Sequence, residues 1–248
     1  MIDLYNGDCL EVMKSIPDGS VDCIITDPPY GTTACKWDSV IPFEPMWAEL
    51  KRIIKPNGAI VLFGSEPFSS HLRLSNLKQY KYDWVWNKKF AGNFALSKYQ
   101  PQKIHENVMV FSKKTHNYYP QMTERDKPIK HGANKCTSES SKIAHAKAEY
   151  DNKIYTQKFP ESLILFSNRN EKRGLHPTQK PVALLEYLIK TYTQEGETVL
   201  DFTMGSGSTM IACLNTNRKG IGIELDKHYF DVATKRINEH KAALDAVF

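Results

Sequence analysis

No run of about 18 apolar residues occurs in this 248-residue chain, so no membrane-spanning helix is expected. Cysteine is sparse. The five thiols, Cys9, Cys23, Cys35, Cys136 and Cys213, form no C-x-x-C pair. An odd, scattered set suits reduced thiols in a cytoplasmic protein better than a disulfide framework or a zinc site. His71, His105, His131 and His145 show no metal-ligand spacing, and no metal is expected. The first residues, Met1-Ile2-Asp3-Leu4, lack the basic and apolar regions of a signal peptide. No internal repeat is visible.

Charge is present but unevenly placed. The net formal charge is +5. Residues 87–180 hold 18 Lys/Arg against 8 Asp/Glu, whereas the remainder holds 15 against 20. A basic middle on an acidic frame suits a polyanionic partner, with a solvated lysine-rich surface as the plainer alternative.

Apolar periodicity alternates between strand and helix at both ends of the chain. Asp3–Asp8 reads as a short strand, Cys9–Ile16 as a helix closed by Pro17-Asp18-Gly19, and Val21–Thr26 as a buried strand. Phe43–Ile54 has helical spacing and stops at Lys55-Pro56-Asn57-Gly58. Ala59–Phe63 reads as a strand, Ser65–Leu77 as a helix, and Tyr82–Trp86 and Asn107–Phe111 as strands. Later, Pro181–Tyr192 is an amphipathic helix, Val199–Asp201 a strand, Ser208–Leu214 a helix and Gly220–Glu224 a strand. Asp226–Leu244 is a long helix with Asp226 as its N-cap. This alternation predicts an α/β fold with a mostly parallel, doubly wound sheet. Lys113–Pro160 is polar and basic without a clear period, and reads as a loop-rich insertion with partial order. The expected division is 1–112 with 170–248 as one α/β domain and 113–169 as the insertion.

Two motifs fall at strand ends, where ligands of open α/β sheets bind. The later one is Asp201-Phe202-Thr203-Met204-Gly205-Ser206-Gly207. Gly205 and Gly207 allow a tight turn and close approach of backbone to ligand, and Ser208 opens a helix with free N–H groups. Glu224 ends the next strand, where an acid accepts from ribose hydroxyls. A dinucleotide fingerprint needs a third glycine, and Met210 stands there. A nucleoside cofactor without a pyrophosphate, such as S-adenosylmethionine, fits better.

The earlier motif is Asp27-Pro28-Pro29-Tyr30, directly after the Val21–Thr26 strand. Taken alone it is also a plausible turn. Its chemistry suits an exocyclic amine on a flat base. Such a nitrogen is a poor nucleophile because its lone pair is delocalised into the ring. Acceptors against its two N–H groups favour the tetrahedral geometry that attack requires. The Asp27 carboxylate and the Pro28 carbonyl, held by rigid Pro28 and Pro29, are the candidate acceptors. Tyr30 is placed to stack on the base, worth roughly 1–3 kcal/mol. That compares with the few kcal/mol needed to unstack a base from a duplex.

With these motifs, Asn6-Gly7-Asp8-Cys9-Leu10 and His176-Pro177-Thr178-Gln179-Lys180-Pro181, the chain resembles the DNA amino-methyltransferases. The resemblance covers most of the chain. It is closest to the β-class, in which the catalytic motif precedes the cofactor motif. It implies a seven-stranded, Rossmann-like methyltransferase sheet, circularly permuted, with the basic insertion as target-recognition region. It also implies that Asp8 contacts the cofactor adenine and that Thr178 and Lys180 line its methionine end. Asp27, Asp201, Phe202, Gly205, Gly207, Ser208 and Glu224 complete the expected cofactor site. Asp27, Pro28, Pro29 and Tyr30 make up the expected catalytic site. One departure is that the family turn reads Asp-Pro-Phe, where this chain has Asp201-Phe202-Thr203, and this weakens the assignment of Asp201.

The implied activity is S-adenosylmethionine-dependent methylation of adenine N6 in double-stranded DNA. N4-cytosine methylation is the nearest rival, and Asp rather than Ser at position 27 favours adenine. RNA or protein-glutamine methylation fits the motif order less well. A non-catalytic DNA-binding module would not need an intact Asp27–Tyr30 set. A homodimer and a partner restriction endonuclease are further implications of the family.

Trp84 and Trp86, alternating on one strand, read as core, with a strand and basic loop (Asn87-Lys88-Lys89) beside the flipped base as the alternative, and Trp37-Asp38 either borders the base pocket or packs. The segment Phe90–Phe94 has the composition of a mobile flap. Arg169, Lys172 and Arg173 are phosphate contacts or solvated charge.

Overall fold

The computed structural model describes residues 1–32, 38–130, 154–169 and 179–246. They form two compact units, 1–119 with 162–248, and 120–161. In chain order the larger unit contains β1 (Ile2–Asn6), α1 (Cys9–Met13), β2 (Val21–Thr26), α2 (Phe43–Ile53), β3 (Ile54–Gly64), α3 (Phe68–Ser75), β4 (Tyr80–Asn87) and β5 (His105–Phe111). After the smaller unit, with β6 (Thr123–Lys130) and β7 (Ile154–Lys158), come β8 (Leu163–Leu165), α4 (Val182–Tyr192), β9 (Thr198–Asp201), α5 (Ser208–Asn215), β10 (Lys219–Glu224) and α6 (Lys227–Asp245).

The sheet runs β1-β10-β9-β2-β3-β5-β4-β8. Among the described residues it has eight strands rather than the seven implied by the family resemblance, because Leu163–Leu165 adds an edge beside β4. All pairings are parallel except the two made by β5, which runs against both β3 and β4. The antiparallel strand brings His105 and Glu106 to the sheet end where β2 and β3 finish.

β2 is buried along its whole length, as expected for a central strand covered on both faces. α1, α2 and α3 contribute to one core with Leu62, Met109 and Phe111. α4 and α5 contribute to another with Val61, Trp84 and Trp86, so the two tryptophans are core residues. α6 adds Ala233 and Ile237 against Met204 and Met210.

β3 begins at Ile54, earlier than the sequence predicts. Ile54 pairs with Val21, and Lys55 Nζ lies 2.6 Å from Asp22 Oδ1, so the Lys55–Gly58 segment is held in the sheet. Gly58 is required there, since a Cβ would lie 2.7 Å from the Asp22 carbonyl. In the smaller unit the described residues include two strands, the ordered part of a segment read as loop-rich with partial order. β6 and β7 pair antiparallel with an irregular register, and neither has a buried side chain among the described residues, which is why no period shows in the sequence.

β2 and β9 are adjacent parallel strands whose continuations diverge, β2 toward β3 and β9 toward β10. Such a switch point opens a crevice at the carboxyl ends of the strands. Asp27 follows one strand and Asp201 ends the other.

Candidate active site

At the β2 side of the crevice, both oxygens of Asp27 are engaged. The Tyr30 hydroxyl donates to Oδ1 and the Lys180 ammonium to Oδ2. An ionised carboxylate has about four lone-pair sites, so two remain for a further donor. Burial raises the Asp27 pKa, and the Lys180 charge opposes this without cancelling it. Burial acts on Lys180 in the opposite sense, but Asp27 and Glu106 outweigh it and hold the ammonium protonated. Burial and the Asp27 charge push Tyr30 well above its ordinary range, so its hydroxyl stays a donor.

Tyr30 stacks on Phe68, the first residue of α3, with ring centroids 5.0 Å apart and planes at 26°. The chain then turns at Gly31, whose φ of +69° suits glycine. Asp38 accepts from the Gly31 and Thr32 amides, each at 2.9 Å, and latches this turn. Thr203 Oγ1 donates to the Asp27 carbonyl at 3.0 Å and lies 2.8 Å from Thr26 Oγ1. The two strand ends are thereby clamped together.

At the β9 side, Asp201 accepts from Thr26 Oγ1, from the Thr203 amide at 3.1 Å and from Thr209 Oγ1 at 2.5 Å. Burial raises its pKa to about 6 despite those bonds. Glu224 ends β10. Its Oε2 accepts from the Gly205 amide and its Oε1 from the Asp226 amide, both at 2.9 Å. Burial raises its pKa too. The Gly7 amide donates to the Glu224 carbonyl at 3.0 Å, which ties the end of β1 to the end of β10. Asp8 follows and caps α1, accepting from the Leu10 amide at 2.8 Å.

One cavity of about 350 Å³ joins both sides. That falls within the usual range for small-molecule sites. Asp8, Asp27, Pro28, Pro29, Tyr30, Lys180, Asp201, Phe202, Gly205, Ser208 and Glu224 line it. A glycine turn, a helix start and an acid at the end of the following strand fit a nucleoside, and a buried acceptor fits an amine. A family model described as DNA methylase (N6_N4_Mtase) matches residues 21–235.

The chain belongs to the DNA methylase family.

Among its relatives within that family is the Type II methyltransferase M.HpaI of Haemophilus parainfluenzae, 28% identical over 98% of this chain and 76% of that protein. The Type II methyltransferase M.HinfI of Haemophilus influenzae is 29% identical over 96% of this chain and 68% of that protein. Among solved structures, the M1.HpyAVI–SAM complex superposes with a TM-score of 0.63 at 27% identity, covering 95% of this chain and all of that one. The cytosine-N4-specific PvuII DNA methyltransferase shares the fold, with a TM-score of 0.67 at 16% identity over 96% of this chain and 90% of that one.

In this DNA methylase, not every residue expected from sequence faces the cavity. Gly207 caps α5 at a φ of +77°, and a Cβ there would lie 2.9 Å from Ile237 Cδ1. The missing side chain leaves room for α6. Phe202 is only 1% exposed and packs mainly into the core. Ser208 Oγ accepts from Arg236 at 2.9 Å, besides standing at the start of α5. Thr178 lies outside the described residues, as do Trp37, Lys172 and Arg173. Arg169 lies 3.4 Å from the Phe90 ring centroid in a cation–π contact.

Sequence reasoning passed over Thr26 and Thr203 as working parts; Asp38, read there as either bordering the base pocket or packing, lines the cavity. Thr203 carried a signal, since it stands where the family pattern has an aromatic residue. Glu106 carried none, and its pairing with Lys88 was not legible. That pairing is fixed only by the order β3-β5-β4.

Proposed function

We propose that this chain transfers a methyl group from S-adenosylmethionine to the exocyclic N6 of adenine in double-stranded DNA, on a base turned out of the duplex. The observation that carries the reading is Asp27, a largely buried carboxylate of raised pKa with open lone pairs, in one cavity with Gly205 and Glu224. When bound, S-adenosylmethionine supplies an electrophilic methyl group. The residues supply position and electrostatics.

Asp27 and the Pro28 carbonyl accept from the two amino hydrogens. Asp27 then takes the proton that the methylated nitrogen must lose, and its raised pKa suits that task. The Tyr30 hydroxyl steadies Asp27. Phe68 occupies one face of the Tyr30 ring, so the target base stacks on the other. Glu224 and Asp8 face the cofactor's ribose and adenine, and Lys180, with Thr178, its methionine end. Asp201 serves the site indirectly, through the clamp on Thr26 and Thr203.

In this reading the methyltransferase sheet is circularly permuted, the segment 113–169 recognises the target, and its basic charge faces phosphate. A homodimer and a partner endonuclease belong to the same reading, and the Type II relatives support the latter. No helix among the described residues is long and apolar enough to cross a membrane.

Nucleoside mass spectrometry of DNA treated with enzyme and cofactor tests the base. N6-methyladenine is expected, and N4-methylcytosine alone would overturn the choice. Tritium transfer from labelled cofactor, wild type against Asp27→Ala, tests the activity. No incorporation by wild type on varied unmethylated DNA would favour a binding module.

A further inference from the structure

The charged chain behind Asp27 extends beyond any residue of the motifs. Lys180 Nζ contacts Asp27 Oδ2 and lies 3.5 Å from Glu106 Oε2. Glu106 Oε1 accepts from Lys88 Nζ at 2.9 Å. The four side chains are only 10–17% exposed. They alternate in sign, two carboxylates with two ammoniums. Glu106 Oε2 has no hydrogen-bond partner among the described residues, so the charge it faces is that of Lys180. A buried carboxylate is costly unless it is paired, and Glu106 has Lys88 on one oxygen and Lys180 on the other.

Packing alone does not require an acid here. Lys180 already has Asp27. Glu106 instead adds a second negative charge across Lys180 from Asp27. Burial favours the neutral form of Glu106, but Lys180 and Lys88 outweigh it, so it is ionised at neutral pH. Other ionisable groups around Asp27 are Tyr30 in its own turn, Asp201 at the end of β9 and Asp38 beyond Gly31. None of these three faces Lys180 in an ion pair among the described residues.

We propose that Glu106 is a positioning residue for methyl transfer: it shares the Lys180 ammonium with Asp27 and so keeps Asp27 basic enough to take the proton from the methylated amine. This rests on the reading of Asp27 as that acceptor. In the step concerned, an N–H bond of the cationic methylated amine breaks. Its electron pair stays on nitrogen and the proton goes to an Asp27 oxygen. Were Lys180 paired with Asp27 alone, its charge would bear wholly on Asp27 and weaken that base. Glu106 divides this pull. It holds for either exocyclic amine, adenine or cytosine.

The test is the pH dependence of single-turnover methyl transfer by the full-length protein, on the base it modifies. Activity falls as pH drops through the Asp27 pKa. Glu106→Gln removes a negative neighbour, so this acid limb moves down, by about two to three pH units for charges roughly 4–6 Å apart at an effective dielectric near 20. Lys180→Gln removes a positive neighbour and moves the limb up. Glu106→Asp keeps the charge and leaves the limb near that of wild type. An unmoved or raised limb in Glu106→Gln, or a Glu106→Asp limb matching that of Glu106→Gln, overturns the proposal.

A second readout does not depend on turnover. Carbon-13 titration of labelled aspartate carboxyls, with Asp27 assigned through Asp27→Asn, reports its pKa directly. Lower in Glu106→Gln and higher in Lys180→Gln is expected, and equal values refute the role. If wild type methylates no DNA, the activity reading fails, and the titration still decides whether Glu106 sets the basicity of Asp27.

Discussion

Asp201 destabilises the folded chain at neutral pH, and the size of that effect is measurable. Its carboxyl is 4% exposed and its pKa is raised from 3.8 to about 6, chiefly by burial. The gap of roughly two pH units corresponds to about 3 kcal/mol. Between the two values the folded chain binds the proton more readily than the unfolded chain does. Stability from this group is therefore present below about pH 4 and lost as pH rises past about 6. Asp27 and Glu224 are raised as well and act in the same direction, so the wild-type curve alone does not isolate Asp201.

Asp201→Asn isolates it. The amide keeps one acceptor for the Thr203 amide and Thr26, and meets Thr209 Oγ1 as a donor once that hydroxyl rotates. Urea unfolding of both proteins in steps from about pH 4 to about pH 8 gives the difference in stability. It is expected to change by about 3 kcal/mol in favour of the variant across that range, with most of the change at about pH 4–6. Hydrogen-bond losses offset the curve by a constant and leave its slope alone. Parallel curves for the two proteins would refute the reasoning, for Asp201 would then be ionised throughout.

Gly207→Ala places a methyl group against Ile237 and Ala233 and forces a left-handed backbone on alanine. A loss of about 2–4 kcal/mol is expected in chemical unfolding, combining overpacking with strain. Asp38→Ala releases the Gly31 and Thr32 amides, so the turn after Tyr30 loosens. The KM for DNA should rise several-fold while calorimetric cofactor affinity stays near wild type, and an unchanged KM would exclude the latch. Glu224→Ala strips the Gly205 and Asp226 amides of their acceptor and should weaken cofactor binding by at least tenfold, measured by calorimetry.

Elements whose burial follows a period were legible in the sequence. Val21–Thr26 is a strand because both of its faces are covered, and α2 and α4 show apolar stripes that match their buried residues. The Asp226 cap was legible because its chemistry is local: its side chain accepts from the His228 and Tyr229 amides. The start of β3 was hidden, because Lys55-Pro56-Asn57-Gly58 has turn chemistry and is overruled by pairing with β2 and by Asp22. Pairing also hid β8, where three residues gain strand character only beside β4. At the site, motif residues could be read because each does chemistry on its own. Lys180 could be named but not its Asp27 partner, since 153 positions separate them and only the fold closes that distance.

Among its described residues, the smaller unit, 120–161, has no buried side chain. Few of those positions are constrained by packing. Selection can therefore rewrite them one residue at a time at little thermodynamic penalty, while a change in β2 or at Gly207 endangers the whole fold. The described part of the segment can change without loss of the fold, and descendants of this chain should differ from one another there first.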